Sequence, residues 1–214
     1  MSSIRVPRKR PDSYQHGDLR PALIQAGLKL LTEGGTRGLS LRAAAQLAGV
    51  SHAAPYRHFR DKDALVEAIA EEGFRLLTRR MREEIEAAGS GDLLVRLRAS
   101  AWGYVSFAIE NPGYFRTIFG GVPCEDGAAP RSPALQEAGA EAYGVLRGLV
   151  AEGLQRGRLR HGDPEQMSLA AWSMVHGLSM LLIEGQLGPA SARGAAARAL
   201  TDATIRFLEQ GLRA

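Results

Sequence analysis

The sequence predicts an all-α protein, with a small basic helical head at the amino end joined by one long helix to a larger helical domain. Three observations point there. Apolar residues recur at three- and four-residue spacing through most of the chain, which places them on one face of a helix rather than of a strand. Alanine, leucine and arginine are abundant while aromatic residues are only 6% of the chain, a balance that favours helices over sheets. Glycine, proline and aspartate gather between the periodic segments, where they supply stops and caps.

Residues 1–13 have no periodicity and carry Arg5, Arg8, Lys9 and Arg10. They read as a flexible basic tail, or as an arm adding phosphate or minor-groove contacts. Asp18 is placed to cap a first helix, with Pro21 in its first turn and Leu19, Leu23, Ala26 and Leu30 on one stripe. Gly34 and Gly35 are expected to end it. In the next helix Leu41, Ala44, Ala45 and Ala48 repeat on small side chains, so another helix can approach closely. Gly49 then offers the residue without a Cβ that a helix end often needs, Val50 plugs the corner, and Ser51 is expected to cap a further helix. Pro55 would fall in that helix's first turn, where backbone N–H groups have no intrahelical partner. His52, Tyr56, Arg57 and His58 crowd polar and aromatic donors into the element, and Phe59 faces back to the core. Helix, glycine turn and polar second helix form a helix-turn-helix, whose second helix enters the major groove of DNA.

From Asp61 to about Ala88 runs a long helix with Ala70, Phe74, Leu77, Met81 and Ile85 as a stripe for a second core. Asp92 is set to cap a helix with Leu94, Leu97, Ala101, Tyr104 and Ala108 on one face, ending at Asn111 and Pro112. A short helix at Tyr114–Phe119 and a Gly/Pro-rich loop at Gly120–Ser132 follow. Pro133 opens a helix to about Arg156, with Leu135, Ala138, Ala142, Leu146 and Leu149 inward. Asp163 and Pro164 start an apolar helix to about Leu187, and Ser191–Leu212 is the last, with Ala196, Leu200, Ala203 and Phe207 on one stripe. Gln166–Ile183 is uncharged for 18 residues, long enough to be weighed as a membrane span. Its glutamine, serines and histidine favour a helix buried on both sides instead, one face meeting a second subunit. The domains expected are therefore 1–13, 14–62 and 63–214.

Charge follows the same division. Residues 1–60 hold ten Lys/Arg against three Asp/Glu, whereas the remainder holds seventeen against twenty. That polarity places a polyanionic partner at the amino end. A single cysteine, Cys124, excludes an internal disulfide or a cysteine-based zinc site, and fits a reducing cytoplasm. No apolar core of a signal peptide opens the chain. Five dispersed histidines form no metal-ligand spacing, and neither a phosphate loop nor a Ser/His/Asp set can be assembled. Catalytic residues, metal and cofactors are accordingly none, and an enzyme is not expected.

Three segments, HGDLRPALIQAGLKLLTEGG, LSLRAAAQLAGVS and APYRHFRDKDALVEAIAEEGF, resemble the TetR family of bacterial transcriptional regulators. Trp172, His176 and Gly177 are similar to the tryptophan–histidine–glycine motif of one C-terminal domain class in such regulators. The resemblance implies a cytoplasmic homodimer that binds a near-palindromic DNA operator, acts as a repressor, and is released by a small-molecule effector in the C-terminal domain. By motif position it implies that Tyr56 and Lys62 hold phosphates and that Arg42 reaches a base or a phosphate. Ser51, His52, Ala53, Arg57 and His58 line the turn and recognition helix, with His52 the best candidate for a base edge. For the effector, Phe74, Met81, Trp102, Phe107, Phe115, Trp172 and His176 are the candidate contacts. A ligand-independent DNA-binding or architectural protein is the alternative.

Overall fold

The computed structural model describes residues 19–89, 91–120 and 131–212. Among these, eight α-helices and one 3-10 turn account for the regular structure and no strand is present. The basic tail, Asp18 and Cys124 lie outside the described residues. The chain divides into two compact units, one ending at Leu65 and the other beginning at Val66.

The first unit is built on α1 (Leu19–Gly38) and α2 (Leu41–Leu47). Leu23, Leu39, Leu41, Ala44, Ala45, Phe59 and Leu65 are buried together, as the small-residue stripe of α2 requires. The first helix does not stop at its glycine pair. Gly35 leaves helical geometry at φ 61° and ψ −164°, and one more turn then carries the element to Gly38. Ser40 caps α2, its hydroxyl accepting from the Ala43 N–H at 3.0 Å.

The second unit is a bundle organised on α4 (Leu93–Glu110), which packs against α5 (Pro112–Phe119), α6 (Pro133–Gln155), α7 (Pro164–Ile183) and α8 (Gly194–Leu212). Residues 99–101 and 103–108 of α4 are buried without interruption. Asp92 caps this helix through the Leu94 N–H at 2.8 Å, and Asp163 caps α7 through the Glu165 N–H at 2.8 Å. The helix α3 (Lys62–Ala87) approaches α4 closely at Gly103, where a Cβ would lie 2.7 Å from the Met81 Cα. Ion pairs tie the periphery, including Arg96 with both carboxylate oxygens of Glu152 at 2.7 and 2.8 Å and Arg116 with Glu184 at 2.9 Å.

One expectation needs correction here. The apolar helix ends at Ile183, not near Leu187, because Glu184 and the left-handed Gly185, φ 71°, close it. Within one chain Met167, Ala171, Val175, Leu178 and Leu182 are buried, while Leu169, Met174 and Leu181 are exposed on the face expected to meet a second subunit. Pro164–Ile183 is long and apolar enough to cross a membrane, yet its covered face packs on α4, α6 and α8. On α8 the inward stripe is Ala197, Thr201, Ile205 and Glu209, while Phe207 is 72% exposed.

Candidate nucleic-acid interface and a cavity in the second unit

In the first unit the end of α2 is closed by two hydrogen bonds. Val50 N–H reaches back to the Ala45 carbonyl at 3.0 Å and Gly49 N–H to the Gln46 carbonyl at 3.2 Å. Gly49 takes φ 70°, the left-handed conformation that such a helix end needs and that side chains with a Cβ resist. The chain is thereby turned sharply into Ser51–Phe59.

The next element is shorter than expected. It is a 3-10 turn, Pro55–Arg57, and no side chain caps it. Ser51 contributes its backbone carbonyl, which accepts from Ala54 N–H at 3.0 Å. A regular α-helix from Ser51 would need Pro55 to donate to that carbonyl, and proline has no N–H to give. Pro55 and Phe59 are buried as anchors, with the Arg20 guanidinium 5.7 Å from the Phe59 ring centre. This anchoring turns the remaining residues outward. Ser51, His52, Ala53, Arg57 and His58 are all exposed, and Tyr56 is 62% exposed.

Asp61 caps α3 through the Ala64 N–H at 2.8 Å, which sets Lys62 at the first helical position, half-buried. Among the described residues no carboxylate lies within 4.0 Å of Arg42, Arg57 or Lys62, whereas Arg60 is paired with Asp61 at 2.9 Å. The surface therefore offers cations, imidazoles and a phenol hydroxyl with no internal acceptor competing for the charges. A cap at Ser40 had no place in the sequence reading, although serine three residues before Ala43 was a legible signal.

The second unit encloses a cavity of about 470 Å³. Its walls come from the inward stripes of several helices: Phe74, Leu77 and Met81 of α3; Leu94, Leu97, Ala101 and Tyr104 of α4; Leu135, Ala142, Leu146 and Val150 of α6; Ala171, Trp172 and Val175 of α7. Of the seven expected contacts, Phe74, Met81 and Trp172 line it. Phe107 and Phe115 do not, being 1% and 0% exposed; they fill the core behind the wall. Trp102 also lies off the cavity, its ring 5.0 Å from the Arg198 guanidinium. Tyr104, Phe119 and Tyr143 are lining aromatics not among the seven.

His176 reaches the wall through a neighbour. Trp172 Nε1 donates to the Tyr104 hydroxyl at 3.0 Å, and that hydroxyl lies 2.9 Å from His176 Nδ1. Burial raises the Tyr104 pKa far above its ordinary value, with the Trp172 hydrogen bond pulling weakly the other way. Burial lowers that of His176. At neutral pH the phenol thus keeps its proton and pairs with an uncharged imidazole, whose ring stacks on Phe115 at 5.5 Å. Polar atoms on this part of the wall satisfy one another.

Besides the hydroxyls of Ser100 and Tyr143, charged and amide groups touch the cavity. Glu209 is 6% exposed and takes two hydrogen bonds from Arg98, one of them from Nε at 2.7 Å and the other from the terminal nitrogen. Arg131 and Gln136 line the cavity from the start of α6. No group of three or more His, Cys, Asp or Glu among the described residues is placed to hold a metal ion.

Residues 23–69 match the family model described as bacterial regulatory proteins, tetR family, and residues 97–205 match one described as tetracyclin repressor-like, C-terminal domain. A protein of unknown function from Rhodococcus sp. RHA1 is 33% identical, with a TM-score of 0.79 and 95% and 100% of the two chains covered. The TetR family transcriptional regulator PfmR from Thermus thermophilus is similar at 22% identity and TM-score 0.66, covering 90% and 96%. FadR from Bacillus subtilis, solved in complex with stearoyl-CoA, is similar in fold at 16% identity and TM-score 0.72, covering 89% and 98%.

Proposed function

The chain belongs to the tetR family of bacterial regulatory proteins, and on that premise we propose that it is a homodimeric repressor of a near-palindromic operator, released by a small molecule held in its cavity. It is a transcriptional regulator by family and not an enzyme.

The observation that carries the reading is the outward set of Tyr56, Arg57, His52 and His58 on a rigidly closed turn, flanked by Arg42 and Lys62. Phosphate contacts supply most of the affinity of such a surface and base-edge contacts its specificity. Tyr56 and Lys62 hold the phosphate backbone. Arg42 suits a guanine edge by its forked geometry, and His52 stands first in the exposed turn for a second base. Ala53 gives a thymine methyl room to approach. Operator binding of this kind places the protein in the cytoplasm.

Pairing of two chains is supported by the apolar faces that one chain leaves open, Leu169, Met174 and Leu181 on α7 and Phe207 on α8. A two-fold axis there would bring two copies of each helix together and set two heads on successive major grooves. The cavity favours effector control over a purely architectural role, since a core closed on itself would need no void.

Selection of bound duplexes from a random pool, followed by light scattering of the complex, tests this reading. We expect an inverted repeat and two chains per site. A monomer in solution, or retention equal for all duplexes, would overturn it.

A further inference from the structure

We propose that the cavity takes an unbranched hydrocarbon chain with an anionic head, the tail lying toward Leu159 and Leu208 and the head at Arg131. This rests on the reading of the cavity as the effector site and names the class of molecule that fits.

Shape comes first. Lining residues run along α6 from Leu135 to Val150, which at 1.5 Å per residue is about 22 Å of helix. The cavity has a volume of about 470 Å³, and a lining of that length accommodates an extended chain. The far wall is Leu94, Leu97, Leu159 and Leu208, which offers a methyl terminus dispersion and dehydration but no hydrogen bond.

Polarity then fixes the direction. Trp172 donates to the Tyr104 hydroxyl, which pairs in turn with His176. Glu209 already accepts two hydrogen bonds from Arg98, so a cationic head finds no unmatched carboxylate there. The Gln136 amide nitrogen donates to the Arg131 carbonyl at 2.6 Å. Ser100 and Tyr143 add neutral hydroxyls, and among the described lining residues Arg131 is the one cation: an exposed guanidinium with no carboxylate within 4.0 Å. A carboxylate or phosphate at that mouth gains a forked, charge-assisted partner, and the tail gains burial along the channel.

Trp172 lies in the wall, so its fluorescence in a full-length Trp102→Phe protein reports occupancy. Titration with octanoate, decanoate and dodecanoate should tighten binding by about four-fold for each methylene buried. Dodecanoate should bind roughly two- to five-fold tighter than dodecanol in low salt, as expected for an exposed ion pair, and dodecylamine weakest of the three. Arg131→Gln should erase the advantage of acid over alcohol and leave dodecanol unchanged. Dodecanoyl coenzyme A separates a free acid from a thioester source: binding of either supports the proposal. Equal binding of acid and alcohol, a preference for the amine, or affinity independent of chain length overturns it. Release of operator DNA is followed in parallel. Acid binding without release defeats the repressor reading alone, and release by some other compound without acid binding defeats the present proposal alone.

Discussion

The two units carry their candidate functional side chains in opposite senses. In the first, Pro55 and Phe59 go inward so that Tyr56, Arg57, His52 and His58 can stand in solvent. In the second, Phe74, Tyr104 and Trp172 turn inward around a void, and their polar atoms are satisfied by neighbours. A surface site is a property of one short stretch of chain. A cavity is a property of several helices at once, and no single stretch contains it.

The most severe way to break the comparison is to disturb the packing of the second unit alone. Gly103→Ala places a Cβ 2.7 Å from the Met81 Cα and 3.0 Å from the Arg80 carbonyl oxygen, both backbone atoms that cannot swing aside. Helix propensity by itself predicts a gain of about 1 kcal/mol for this change. Overpacking predicts a loss of about 1–3 kcal/mol, and rigid backbone neighbours argue for the upper end. Thermal melting should therefore shift down by roughly 5 to 10 °C. An unchanged or raised melting point would show that α3 and α4 are free to part.

Next in size comes the first unit's cap. Ser40→Ala removes the acceptor of the Ala43 N–H and should cost about 1 kcal/mol. Chemical denaturation followed by operator-binding competence should register the loss, with occupancy of the cavity by its ligand unchanged under native conditions. Equal stability of the variant would mean that water replaces the hydroxyl at no cost.

How far each unit was legible follows from the same contrast. The head could be read because Gly49, Pro55, Asp61 and the outward residues lie within a dozen positions, where turn chemistry and capping act locally. What failed there was also local: proline's missing N–H shortened the expected helix to the 3-10 turn Pro55–Arg57. In the second unit the apolar stripes were sound guides. Leu94, Leu97, Ala101 and Tyr104 on α4, like Leu135, Ala142 and Leu146 on α6, all line the cavity. Choosing aromatic residues in place of stripe members misled, because Phe107 and Phe115 are large enough to fill the core completely. Periodicity says which face points inward, but not whether the interior is filled. Arg131 and Glu209 carried no local pattern at all.

A different readout separates affinity from specificity within the head. Lys62→Ala should reduce the slope of log affinity against log salt by about one, equally for operator and random duplex. Arg42→Ala should instead lower the preference between them, by about 1–3 kcal/mol if it reads a guanine in bidentate fashion. Binding measured over a salt series on both duplexes distinguishes the two. A uniform loss for Arg42→Ala would assign that side chain to the phosphate backbone.

The smallest expected effect concerns His176, which sits on the second unit's wall without lining the cavity. Its pKa is lowered by burial, so the unfolded chain binds a proton more readily than the folded one does. Stability from this group is fully present above the ordinary histidine value of about 6.5 and is lost as pH falls through the lowered folded value. The neighbours facing the ring, Tyr104, Trp172, Phe115 and Phe119, include no carboxylate to hold the charged form. Protonation also puts a hydrogen on both ring nitrogens, so the Tyr104 hydroxyl could then only accept from Nδ1. His176→Gln keeps an acceptor for that hydroxyl and cannot charge. Denaturation midpoints compared at about pH 8 and about pH 5 should fall less in the variant than in the unmodified protein. If both fall equally, the imidazole finds water when charged, and the wall around it opens more easily than its packing indicates.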